Sequence, residues 1–157
     1  MDAWSRCLVL ALGGALGVNA RYWLGILIGR WVGPRYPWST VFINVSGSFA
    51  IGLAAVGLAH RWPHPLGRLF VAVGFLGGYT TFSTFSYESL KLWEDGERGL
   101  AVANAVGSVL AGLAAVFLGV AVGRVLFDGE PPRPDQARAG VESLPGESLL
   151  DGEARAG

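Results

Sequence analysis

Charged residues fall along this chain in clusters, and four long apolar runs lie between them. Cys7 to Gly29 is apolar apart from Asn19 and Arg21, and Tyr36–Ala59, Leu69–Tyr87 and Gly99–Gly123 carry no charged residue. A hydrocarbon core about 30 Å thick takes roughly 20 mostly apolar residues to cross as a helix. The runs therefore predict an all-α membrane protein with four transmembrane helices, at about 7–29, 37–59, 68–90 and 99–124, in one domain over residues 1–127. The short charged loops between them leave little room for other structure.

Composition agrees with that pattern. Of 157 residues, 52% are hydrophobic, only 15% are charged, and 24 are glycine. A soluble domain needs about a quarter of its residues charged, so the membrane class leads on composition alone. The first run is too long for the apolar core of a signal peptide, and Arg21 interrupts it without a convincing small-residue cleavage site. The single cysteine, Cys7, excludes an internal disulfide and reads as a small apolar helix residue. No nucleic-acid partner is expected; the lipid bilayer is.

Loop cations bear on orientation, because the richer side normally faces the cytoplasm. One side of the predicted bundle carries Arg6, Arg61, Arg68 and Arg124, and the other Arg30, Arg35, Lys91 and Arg98. The balance is compatible with copies inserted both ways and paired antiparallel; a single orientation set by other factors is the alternative. Residues 128–157 differ in character, with seven acidic and three basic residues and four prolines. Few large apolar side chains are available there to offset ordering entropy, so a disordered acidic tail is expected.

Helices 2 and 4 share a pattern. Asn44-Val-Ser-Gly47-Ser48-Phe-Ala-Ile-Gly52-Leu53-Ala54-Ala55 matches Asn104-Ala-Val-Gly107-Ser108-Val-Leu-Ala-Gly112-Leu113-Ala114-Ala115 at seven of twelve positions. Ser48 with Gly52, and Ser108 with Gly112, are small-xxx-small pairs that allow close helix approach. Asn44 and Ser108 are candidates for polar groups facing a pathway, although interhelical hydrogen bonding is the commoner role of such residues.

The third run carries Gly74-Phe75-Leu76-Gly77-Gly78-Tyr79-Thr80-Thr81-Phe82-Ser83-Thr84-Phe85-Ser86. Two glycines followed by two β-branched threonines are poor helix material, so a break is predicted. In lipid such a break survives only where protein or a polar cavity satisfies its backbone. Freed carbonyls could hold a small cation. Phe82 and Phe85 fall at i and i+3 on one face, interleaved with hydroxyls. Ring edges are positive, and hydroxyls and amides can replace lost hydration, so the combination suits a small, strongly hydrated anion. Arg21 inside a helix costs on the order of 2.5–3.5 kcal/mol and needs a partner or a water-filled vestibule, unless it snorkels to the interface.

Other classes fit poorly. A proton-coupled exporter of cationic drugs needs an embedded carboxylate, for which Glu88 is the only near candidate. An enzyme needs a nucleophile or metal constellation; none is legible, and His60 and His64 sit in a Pro-rich loop.

Together, Gly13-Gly14, Gly17, Arg21 and Tyr22 in helix 1, Thr40 and Asn44 opening helix 2, the run Gly74–Phe85 and Asn104-x-x-Gly107-Ser108 resemble the Fluc/CrcB fluoride channels. The resemblance spans residues 5 to about 126. It implies an antiparallel dual-topology homodimer with two pores, in a bacterial inner membrane, exporting F⁻ passively. It implies that Phe82 and Phe85 line the fluoride path with Asn44 as a donor, and that Ser83, Thr84, Ser108 and Thr40 belong to its polar route. It further implies Arg21 beside a vestibule, and a structural, untransported Na⁺ held by the backbone carbonyls of Gly77 and Thr80. The acidic tail is the main departure from the family pattern.

Overall fold

The computed structural model describes residues 2–60 and 64–127. The tail expected at 128–157 and the loop cation Arg61 lie outside the described residues. Within them are α1 (Ala3–Val32), α2 (Trp38–His60), α3 (Pro65–Arg68), a π-helical segment Leu69–Leu76, α4 (Gly77–Tyr79), α5 (Phe82–Glu94) and α6 (Arg98–Phe127). No strand occurs among the described residues. Among the described residues four spans are long and apolar enough to cross a membrane: α1, α2, the composite Pro65–Glu94, and α6.

Local chemistry sets the ends. The chain leaves α1 through Gly33, at φ 73°, whose N–H donates to Gly29 O at 3.3 Å. Pro65 opens α3 behind His64, whose Nδ1 accepts from the Leu66 N–H at 3.2 Å. After α5, Gly96 adopts φ 82°; its N–H reaches Trp93 O at 3.1 Å while Glu97 N–H reaches Leu92 O at 2.9 Å. This paired closure is the Schellman arrangement, in which glycine carries the left-handed residue. Arg98 then stacks over Trp93, 5.4 Å from the ring centroid, across the turn.

Glycine sets how closely the helices pack. A Cβ on Gly17 would overlap the Phe75 carbonyl, and one on Gly78 would lie 2.8 Å from Gly14 O, so α1 and the third span meet backbone to backbone. On the other side α2 packs on α6. A Cβ on Gly52 would overlap the Val116 carbonyl, and one on Gly119 the Phe49 carbonyl. The closest approach therefore uses Gly52 and Gly119. Gly112, expected as part of a small-residue pair, would make only ordinary contact, 3.4 Å from Ser48 Oγ. Dispersion between close backbones and interhelical hydrogen bonds supply the association, since lipid tails offer no hydrophobic drive between helices.

The third span breaks, one step later than the glycines suggest. Gly77–Tyr79 stays helical, and the extended residues are Thr80 (φ −84°, ψ 159°) and Thr81 (φ −150°, ψ 114°). The physical division of labour is clear: Gly78 is spent on contact with α1, whereas the β-branched threonines leave the helix. The π segment before the break was not legible in the sequence.

Candidate functional site

Asn44, on α2, satisfies the opened backbone. Its Oδ1 accepts from the Thr81 N–H at 2.8 Å, and its Nδ2 donates to the Thr81 carbonyl at 3.0 Å. In a continued helix the Thr81 N–H would have served Gly77 O. The Thr80 carbonyl accepts from Nη1 of half-buried Arg21 at 3.3 Å. An interior arginine needs such a partner. Thr81 in turn caps α5, its Oγ1 accepting from Thr84 N–H at 3.3 Å and donating to Thr84 Oγ1 at 2.9 Å. The break thus places a carbonyl-bearing helix end, favourable to a cation, beside an N-terminal helix end, favourable to an anion.

A groove of about 410 Å³ opens here, lined among others by Asn44, Ser48, Thr81, Phe82, Phe85 and Ser108. Gly77 and Thr80 also line it, and no ionisable side chain among the described residues does. Phe82 and Phe85 have ring centroids 5.5 Å apart at 46°, so they are tilted and not face-to-face. Phe85 is buried, whereas Phe82 is 78% exposed. An Asn amide nitrogen carries two hydrogens; one of Asn44's is committed to Thr81, which leaves a second donor for the groove. Ser48 and Ser108, equivalent in the helix 2/helix 4 pattern, face the same groove.

Other expected site residues lie apart. Ser83 and Thr84 are exposed, do not line the groove, and bond to Thr81 Oγ1, Ser83 at 3.4 Å. Thr40 is buried and donates to Glu88 Oε1 at 2.9 Å. Glu88 lines a second cavity, of about 420 Å³, with Arg35, Tyr36, Ser39, Lys91 and Asp95. Its Oε2 is buried without a hydrogen-bond partner among the described residues. Burial raises the pKa of the Tyr36 phenol at this cavity. At the sequence level Glu88 entered only as a possible proton carrier; the Thr40 spacing relative to a carboxylate forty-eight residues on is not a readable signal.

Two further polar groups have structural roles that the sequence did not assign. Tyr79 is buried, stacks on Phe75 at 5° and 6.1 Å, and shares a 2.9 Å hydrogen bond with Ser46. Asn104 is the most deeply buried large side chain among the described residues, 1% exposed, and bonds to Ser89. Its match to Asn44 was the available signal, since both amides tie their helix to the third span.

Residues 8–120 match the family described as CrcB-like protein, Camphor Resistance (CrcB). The chain belongs to this family. CrcB-like relatives include the "Fluoride-specific ion channel FluC" of Nitrobacter winogradskyi, 48% identical over 124 residues, which cover 78% of this chain and 98% of that protein. Proteins of the same name from Solibacter usitatus (50% identity, 76% and 98% coverage) and Thermus thermophilus (49%, 77% and 97%) are similar to much the same degree. These CrcB-like relatives are named as channels, not enzymes, and with its four spans this chain is a multi-pass bacterial membrane protein.

Proposed function

We propose that this protein is a fluoride-specific channel of the bacterial inner membrane that passively exports F⁻ and so protects the cell from its toxicity. The observation that carries the reading is the groove at the helix break. There an N-terminal helix end, the Asn44 amide, serine and threonine hydroxyls and two phenylalanine rings converge, and no carboxylate among the described residues lines it. Fluoride is small and strongly hydrated, so donors fixed in advance replace its water, and ring edges offer positive potential without a fixed charge. The membrane potential, negative inside, drives an anion outward at about 2.3 kcal/mol per 100 mV. HF that enters from acid surroundings dissociates in the cytoplasm and traps F⁻, which the channel releases without ATP.

The working unit is an antiparallel homodimer with two pores. The balanced loop cations support it, and so does the groove, which leaves Phe82 78% exposed in a single chain. In this reading Phe82, Phe85, Asn44 and Ser108 line the path at the groove, Thr40, Ser83 and Thr84, which lie outside the groove, belong to a polar route beyond it, and Arg21 adds positive potential near a vestibule. The carbonyls of Gly77 and Thr80 suit a structural Na⁺, with a second copy supplying further oxygens; Thr80 shares its carbonyl with Arg21. Such an ion stiffens the dimer centre and is not transported.

The test is release of internal F⁻ and Cl⁻ from liposomes containing purified protein, followed with ion-selective electrodes. Rapid fluoride release without chloride is expected. Equal release of both anions, or none from folded protein, overturns the proposal.

A further inference from the structure

The groove's serine on α6 is held by a chain of hydrogen bonds whose direction can be deduced. Ser89 Oγ lies 2.8 Å from the Phe85 carbonyl, Asn104 Nδ2 lies 2.9 Å from Ser89 Oγ, and Ser108 Oγ lies 3.3 Å from Asn104 Oδ1. A carbonyl only accepts, so Ser89 gives its proton to Phe85 and must accept from Asn104. That fixes the Asn104 amide with its NH₂ toward Ser89 and its oxygen toward Ser108. Ser108 must then donate to Asn104. Its hydroxyl proton points away from the groove it lines, and its lone pairs are left for whatever occupies the groove.

We infer that Asn104 is a positioning residue that holds the Ser108 proton while the groove is empty and yields it to an arriving anion. This rests on the fluoride reading of the same groove. An anion can gain the Ser108 hydrogen bond only by displacing Asn104 Oδ1, so the hold on the proton weakens anion binding and eases departure. Conduction requires sites that release as readily as they bind. Asn104 is suited to the task because it is 1% exposed and its amide cannot exchange partners with water. Removing its side-chain oxygen leaves Ser108 only the helix carbonyl four residues back, which already serves the helix and is a weaker hold.

The experiment is initial fluoride release measured against internal fluoride concentration, for wild type, Asn104→Leu, Ser108→Ala and the double variant. Asn104→Leu is expected to lower the half-saturating concentration roughly three- to tenfold, the weight of one neutral hydrogen bond. The double variant should match Ser108→Ala alone, because the effect passes through that hydroxyl. A purely structural Asn104 would alter rate or yield without a Ser108-dependent shift. If Asn104→Leu does not fold, Ser89→Ala releases the amide to turn and should shift half-saturation the same way by a smaller factor. An unchanged half-saturation in a folded variant, or a shift that persists in the double variant, overturns the inference while the conduction reading stands. A wild type that releases no fluoride overturns both.

Discussion

Asn44 meets both hydrogen-bonding groups of Thr81, one from each end of a single amide. Buried backbone groups left without partners cost about 1–3 kcal/mol, so Asn44→Ala should destabilise the folded protein by that order and lower its thermal midpoint in detergent. Equal stability of wild type and Asn44→Ala would show that the clamp does not hold the break. Residue roles were only half legible in advance. The polar identity of Asn44, Ser108 and the Phe82/Phe85 pair stood out because polar and aromatic groups are costly or conspicuous in an apolar run. Their partners did not stand out, since the Thr81 backbone and the Ser89 hydroxyl are chosen by tertiary placement, which no spacing along one helix encodes.

At the scale of elements, the four spans were readable as long apolar runs, three of them without a charged residue, and the first, third and fourth observed spans extend beyond their runs, whereas α2 nearly coincides with its own. The extensions, Trp4 to Arg6 or Glu88 to Glu94 for example, are polar or interfacial residues that helix geometry tolerates outside the hydrocarbon core. The break and the run that holds it were readable from poor helix formers, but which of them leave the helix was not: glycine is equally suited to leaving a helix and to letting another helix approach, and here Gly78 does the second. That distinction is testable. Gly119→Ala would drive a Cβ into the Phe49 carbonyl, and overpacking of this kind costs about 1–3 kcal/mol. Gly29→Ala meets nothing within 4 Å and should change stability by no more than about 0.5 kcal/mol. Thermal unfolding of the two variants side by side checks the pair, and equal midpoints would contradict the assigned α2–α6 contact.

For the whole molecule, the proposed dual orientation rests on the balance of loop cations, and Cys7, the sole cysteine, offers a native reporter near the N-terminal end of α1. A membrane-impermeant thiol reagent applied to intact inside-out and right-side-out vesicles should label about half the copies in each, if the positive-inside bias is as balanced as the loops suggest. Introducing Asp95→Lys with Glu97→Lys should shift the labelling toward one vesicle type; complete labelling in only one type for the wild type would exclude dual insertion. The central claim concerns the anion path along the broken third span. It is tested most directly by fluoride release from liposomes containing wild type, Phe82→Ile or Phe85→Ile, each first shown to be folded. Fast fluoride release by the wild type, falling to background in either variant, is the expected result. Undiminished release by both variants would contradict it and move the path away from the α5 rings.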